Sequence, residues 1–149
     1  MFLNTRILTG LTAFVISGSA VAAPVLDVMR AEGCGCCEMW VELIAGAGFG
    51  TRLREFPQAE LEARKRELGL TAATSSCHTA LIEGYVIEGH VPAREINRLL
   101  RERPDAIGIA VPGMPYGSPG MGEAGPDADP YQVLLLKRDG SNEVYARYP

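Results

Sequence analysis

The chain has 149 residues, enough for one domain and too few for two of ordinary size. Its 14 basic and 18 acidic side chains give a formal net charge of −4 with no basic stripe, which argues against nucleic acid as a partner. Three of its four cysteines crowd into Cys34–Cys37, so composition itself asks what this cluster holds or reacts with.

Residues 1–22 read as an export signal. Arg6 and the free amine form a positive head, Ile7 to Ile16 is mostly apolar but too short to cross a bilayer, and Ala20-Val21-Ala22 offers a small-x-small cleavage pattern. The alternatives are an uncleaved anchor and a frayed N-terminus. Cleavage after Ala22 leaves residues 23–149 as the domain, and losing Arg6 takes the formal charge from −4 to −5. No later apolar stretch approaches the length of a membrane span, so none is expected after signal removal. The expected address is a bacterial periplasm, where disulfides persist.

Pro24 to Met29 is predicted to be a strand leading into Gly33-Cys34-Gly35-Cys36-Cys37. A helix is expected from Met39 to Ala47, because Trp40, Leu43, Ile44 and Ala47 fall on one face; Trp40 is expected in the core. Sulfurs at a strand-to-helix junction sit beside free backbone N–H groups, which favour thiolate. Thr51 to Phe56 alternates like a half-buried strand. Pro57 opens a helix to about Leu68, with Leu61, the stem of Lys65 and Leu68 inward. On that helix Glu60–Arg64 and Glu62–Arg66 are i, i+4 pairs of a solvated face. Thr79-Ala80-Leu81-Ile82 and Tyr85-Val86-Ile87-Glu88 are expected to be strands around a Glu83-Gly84 turn. Pro92 then starts a helix with Ile96, Leu99 and Leu100 inward, and Pro104 stops it. Residues 104–130 are expected to be a long loop, rich in Gly and Pro and carrying Met114 and Met121. Tyr131 to Lys137 and Glu143 to Tyr148 flank Asp139-Gly140, a hairpin signal. The order predicts an α/β fold of thioredoxin-like type: a central mixed sheet flanked by helices, with a Gly/Pro/Met loop and a C-terminal β-hairpin.

In that arrangement Cys77-His78 starts its strand at the sheet end that carries the cysteine loop, and the hairpin returns His90 to the same end. Cys34, Cys36, Cys37, Cys77, His78 and His90 would then meet; they are all the cysteines and histidines of the chain. Such donors suit Cu(I), Zn(II) or an iron–sulfur cluster. Bridging thiolates in this number can hold more than one copper, and thioethers at Met114 and Met121 are donors that copper uses and zinc generally does not. The methionines also read as core filling, and the histidines as hydrogen-bonded loop residues. Disulfides remain open, as Cys34–Cys37 or as one of the three with Cys77; an adjacent Cys36–Cys37 bridge would be strained.

Four blocks resemble the CopG-type copper-resistance family, long catalogued as a metal-binding domain of unknown function. They are Gly33-Cys34-Gly35-Cys36-Cys37; Ser76-Cys77-His78-Thr79-Ala80; Gly84-Tyr85-Val86-Ile87-Glu88-Gly89-His90-Val91-Pro92-Ala93; and Val111-Pro112-Gly113-Met114-Pro115 with Gly117-Ser118-Pro119-Gly120-Met121. The resemblance covers nearly all of residues 23–149. It implies an exported thioredoxin-like protein of copper tolerance, with Cys34, Cys36, Cys37 and Cys77 as copper ligands and His78 and His90 as ligands or neighbours. Met114 and Met121 come only as members of a family block. Storage, transfer to other periplasmic copper-handling proteins and copper oxidation–reduction all fit. The competing function is thiol–disulfide oxidoreduction through Cys34-Gly35-Cys36-Cys37, against which a third thiol inside the motif counts. A disulfide-stapled interaction domain leaves the histidines unexplained.

Overall fold

The computed structural model describes residues 22–149, so the expected signal, residues 1–22, lies outside the described residues but for Ala22. The elements are β1 (Val25–Ala31), α1 (Gly35–Gly46), β2 (Gly50–Phe56), α2 (Gln58–Glu67), β3 (His78–Ile82), β4 (Tyr85–Glu88), α3 (Ala93–Glu102), β5 (Gly108–Ala110), β6 (Tyr131–Leu136) and β7 (Asn142–Tyr148). The seven strands make one mixed sheet in the order β2-β1-β3-β4-β5-β6-β7. β1 runs parallel to β2 and β4 to β5, each pair joined through a helix as parallel pairing requires; the other neighbours are antiparallel.

Alternation along the strands sorts the two faces. Leu26 and Val28 of β1, Ala80 and Ile82 of β3 and Ile87 of β4 join Trp40 and Ile44 of α1 and Ile96 and Leu99 of α3 in one core. Val86, Ala110 and Leu136 form a smaller core with Leu70, beyond the end of α2. Trp40 has no exposed surface, and its Nε1 donates to the Val91 carbonyl at 2.9 Å. Burying an aromatic side chain of this kind contributes roughly 1.5–3 kcal/mol. The β3–β4 hairpin turns on Glu83 (φ 47°) and Gly84 (φ 88°), both left-handed, as the right-handed twist of a two-residue hairpin demands. Glu83 takes a conformation that costs a side chain about 1 kcal/mol and is held by an ion pair to Arg103.

Three expectations need correction. α1 starts at Gly35, four residues before the expected start at Met39, because its first turn carries cysteines in place of a periodic face. The stretch 104–130 is not all loop: Gly108–Ala110 is a wholly buried strand between β4 and β6, too short to show a period. On α2, Arg64 does pair with Glu60 at 2.7 Å, but Glu62 accepts from Gln58 at 2.8 Å, and Lys65 buries its charged tip as well as its stem.

Candidate metal centre

The first cysteine segment is shaped by its place at the start of α1. Cys34 is the N-cap residue, extended at φ −80° and ψ 91°, and Cys36 and Cys37 occupy the first turn. Cys34 makes no side-chain cap hydrogen bond, and the leading N–H groups of this turn lie beside the sulfurs without an intrahelical partner. Arg30 of β1 fixes the loop. Its side chain is 7% exposed, and it donates to the Cys34 carbonyl at 2.6 Å and to Glu38 and Glu55 at 2.6 Å each. Cys34 and Cys37 form a disulfide, and Cys36 Sγ lies 3.5 Å from Cys34 Sγ. Cys37 is fully buried, while Cys36 is half-buried and free.

The second segment is delivered by strand register. β3 and β4 pair Thr79 with Glu88, and the Gly89 N–H donates to the His78 carbonyl at 2.9 Å. One step further along the ladder, Cys77 stands opposite His90, with Sγ 3.1 Å from Nε2. His78, which opens β3, places Nδ1 3.3 Å from the same sulfur. The sulfurs of Cys34, Cys36, Cys37 and Cys77 lie within 4.8 Å of one another, and Cys77, His78 and His90 meet the same limit. Cys77 is therefore the shared member of a sulfur group and a mixed sulfur–imidazole group.

The imidazole states follow from their partners. His90 Nδ1 is 2.8 Å from the Pro119 carbonyl, which can only accept, so Nδ1 carries the proton and the lone pair of Nε2 faces Cys77. His78 lies between Trp40, at a centroid distance of 4.3 Å, and His90, at 5.0 Å. Its Nε2 is buried with no hydrogen-bond partner among the described residues, which costs roughly 1–3 kcal/mol unless something binds there. Burial holds the pKa of both rings below the ordinary histidine range, with His90 adding to the effect on His78, so both are neutral near pH 7. Burial, reinforced by the neighbouring Cys36, pushes the Cys77 thiol up to about 12. A soft cation that takes this sulfur must displace its proton.

Six of the eight residues singled out by sequence thus share one end of the sheet. Met114 is exposed and Met121 half-buried, both on the segment after β5. That segment touches the site through its backbone: Gly120 lies against the first turns of α1, and Pro119 holds His90. Besides Arg30, two residues at the site were not foreseen. Lys65 and Glu88 form a buried ion pair directly behind Cys77, where Glu88 accepts from the Ser76 N–H at 2.6 Å and from Thr79 Oγ1 at 2.5 Å. The available signal was a charged residue ending an otherwise apolar strand, Tyr85-Val86-Ile87-Glu88.

Comparison with known proteins gives a consistent result. A family model described as a protein of unknown function, DUF411, matches residues 74–121. A solved structure titled "Copper resistance protein copG- Form 2" is 46% identical, with a TM-score of 0.76, and the match covers 85% of this chain and 99% of that one. A second, titled "Copper resistance protein copG- Form 1", is 46% identical with a TM-score of 0.74, covering 84% of this chain and 97% of that one. No curated protein sequence matches significantly.

Proposed function

The chain belongs to the family of the copper resistance protein CopG, and from that premise we propose that it is a periplasmic copper-binding protein of copper tolerance. In this reading residues 1–22 export the chain. Copper, as Cu(I) and as more than one ion, is the cargo of Cys34, Cys36, Cys37, Cys77, His78 and His90. The observation that carries it is the convergence of four sulfurs and two neutral imidazoles on Cys77. The donor set fits: thiolate and imidazole select copper, His90 turns an unprotonated nitrogen toward the sulfur, and His78 has a buried nitrogen without a partner among the described residues. A thioredoxin-like architecture is part of the proposal. It is supported by strands β2-β1-β3-β4, with β1 parallel to β2 and β3 antiparallel to both its neighbours.

The chain's residues divide the work. Arg30 and the start of α1 present the first three sulfurs. The β3–β4 hairpin brings in Cys77 and both imidazoles, and the Pro119 carbonyl orients His90. Met114 and Met121 have the outer role of thioether donors that exchange copper with other periplasmic copper-handling proteins. The Cys34–Cys37 disulfide links capacity to redox state: opening it takes two electrons and two protons and yields two more thiols.

That disulfide also favours a second reading, thiol–disulfide oxidoreduction, since it joins the ends of a C-x-x-C motif at a helix N-terminus. Cys36, 3.5 Å from Cys34, opposes it as an internal competitor for the same sulfur. The test is to load the reduced full chain with Cu(I) without oxygen and measure copper per chain, alongside insulin reduction. Retained copper with no insulin reduction supports the first reading. Insulin reduction without copper retention replaces it with the second.

A further inference from the structure

We propose that Lys65 and Glu88 are positioning residues of the centre, a buried clasp on the far face of the sheet that sets Cys77 and His78 against the first cysteine segment. The inference rests on the copper-binding reading and adds two residues outside the donor set.

The geometry is unusually complete. Lys65 is the only lysine or arginine of α2 without appreciable exposure, and Glu88 has none. Lys65 Nζ donates to Glu88 and, at 2.8 Å, to the Ser76 carbonyl. Glu88 Oε1 also accepts from the Ser76 N–H at 2.6 Å, so both backbone groups of the residue before Cys77 are seized by one ion pair. Glu88 Oε2 accepts from Thr79 Oγ1 at 2.5 Å, one residue beyond His78. The segment 76–79 is thus gripped on both sides of the two donors. The grip comes from behind, because adjacent residues of a strand face opposite ways. Thr79 reaches the clasp, whereas His78 lies against Trp40. A fold that needed only stability would gain as much from apolar residues here, since buried ion pairs seldom outperform well-packed hydrocarbon. What the pair supplies is a fixed backbone position for Ser76 itself, at the end of a loop otherwise anchored by the Thr71–Thr74 bonds and by the Gly113 backbone, which donates to the Ser75 carbonyl at 3.0 Å and accepts from Ser76 Oγ. Groups holding metal ligands in place typically matter 10–100-fold in metal affinity.

The test uses the full reduced chain and three measurements: thermal midpoint without metal, hydrogen exchange at the Ser76 amide by NMR, and Cu(I) affinity by competition with a chromophoric chelator. The double variant Lys65→Met with Glu88→Leu replaces the pair with hydrocarbon. It is expected to fold with a midpoint lowered only by the loss of partners at Ser76 and Thr79, to speed Ser76 exchange at least tenfold and to weaken Cu(I) binding at least tenfold. Glu88→Gln keeps an acceptor for Ser76 and is expected to lose less than threefold. Wild-type copper affinity in the folded double variant, or a loss in Glu88→Gln equal to that of the double variant, overturns the proposal. If the double variant does not fold, Thr79→Val decides: faster Ser76 exchange with copper binding weakened severalfold supports the clasp, and no change in either overturns it. A wild-type chain that holds no copper sinks the copper-binding reading alone, and the clasp is then judged on Ser76 exchange.

Discussion

Gly120→Ala would strike the site through backbone alone. Gly120 has φ +83°, and a Cβ built there lies 2.8 Å from the Trp40 nitrogen, 3.1 Å from Trp40 Cα and 3.2 Å from the Cys36 carbonyl oxygen. None of these is the flexible end of a side chain, so the loop must retreat from α1. The left-handed conformation costs an alanine about 1–2 kcal/mol. Loss of the His90–Pro119 hydrogen bond costs about 1 kcal/mol, and residual crowding costs something on the same order. A total of about 3–4 kcal/mol lowers the midpoint of a domain this size by roughly 9–16 °C. His90 would also lose the partner that fixes its tautomer, for an expected 10–100-fold fall in Cu(I) affinity. Gly113→Ala is the control: φ is +70° with nothing within 4 Å of the added Cβ, so only the conformational cost applies. Calorimetry of the metal-free chains and chelator competition would measure both effects. Equal midpoints for the two variants, with copper affinity unchanged in Gly120→Ala, would refute the contact argument.

Cys36→Ser is expected to leave the midpoint within about 1 °C, since Cys36 is half-buried and outside the disulfide. It should remove most copper retention; full retention in copper analysis would take Cys36 out of the ligand set. Trp40→Phe deletes the donor to the Val91 carbonyl and leaves a void beside His78, for a loss of about 2–3 kcal/mol in denaturant unfolding. An unchanged denaturation midpoint would contradict it. Acid should weaken the metal-free chain through its imidazoles. Their folded pKa values are depressed by burial, so the unfolded chain takes up protons first. Their contribution is whole above the ordinary histidine value of about 6.5 and fades as pH falls through it toward the folded values. Glu88 is raised by burial and acts in the opposite sense at lower pH, so the clean measurement is wild type against His78→Phe. The difference should shrink from pH 7.5 to pH 5.5, and a constant difference would end this account.

Much of this molecule was legible as pattern. Of the four residues expected on one face of α1, Trp40 and Ile44 are buried while Leu43 and Ala47 are exposed, and the turn at Glu83-Gly84 stands between the two expected strands. Hairpin arithmetic alone places His90 near the Cys77-His78 pair, because strand register is periodic and local. What escaped has a common cause. β5 is three buried residues whose strand character comes from its neighbours β4 and β6, not from its own sequence. Lys65 lies in a charge run that reads as solvated, and only the partner 23 residues on makes its burial tolerable. Arg30 escaped likewise, since its acceptors come from the cysteine loop, α1 and β2. Which cysteines join was open because spacing permits more than one pairing, whereas the structure joins Cys34 to Cys37.

The β6–β7 hairpin has a consequence for the order in which the protein is made. Every cysteine and histidine of the centre precedes residue 91, but β5 stays an uncovered outer strand until β6 pairs with its last open side. A nascent or clipped chain ending near Asp129 would carry its thiols beside an apolar ribbon with unmet N–H and C=O groups, a template for joining other copies. The final twenty residues therefore act as a solubility closure, and a chain cut at Asp129 should sediment as assemblies while the full chain sediments as a smaller species.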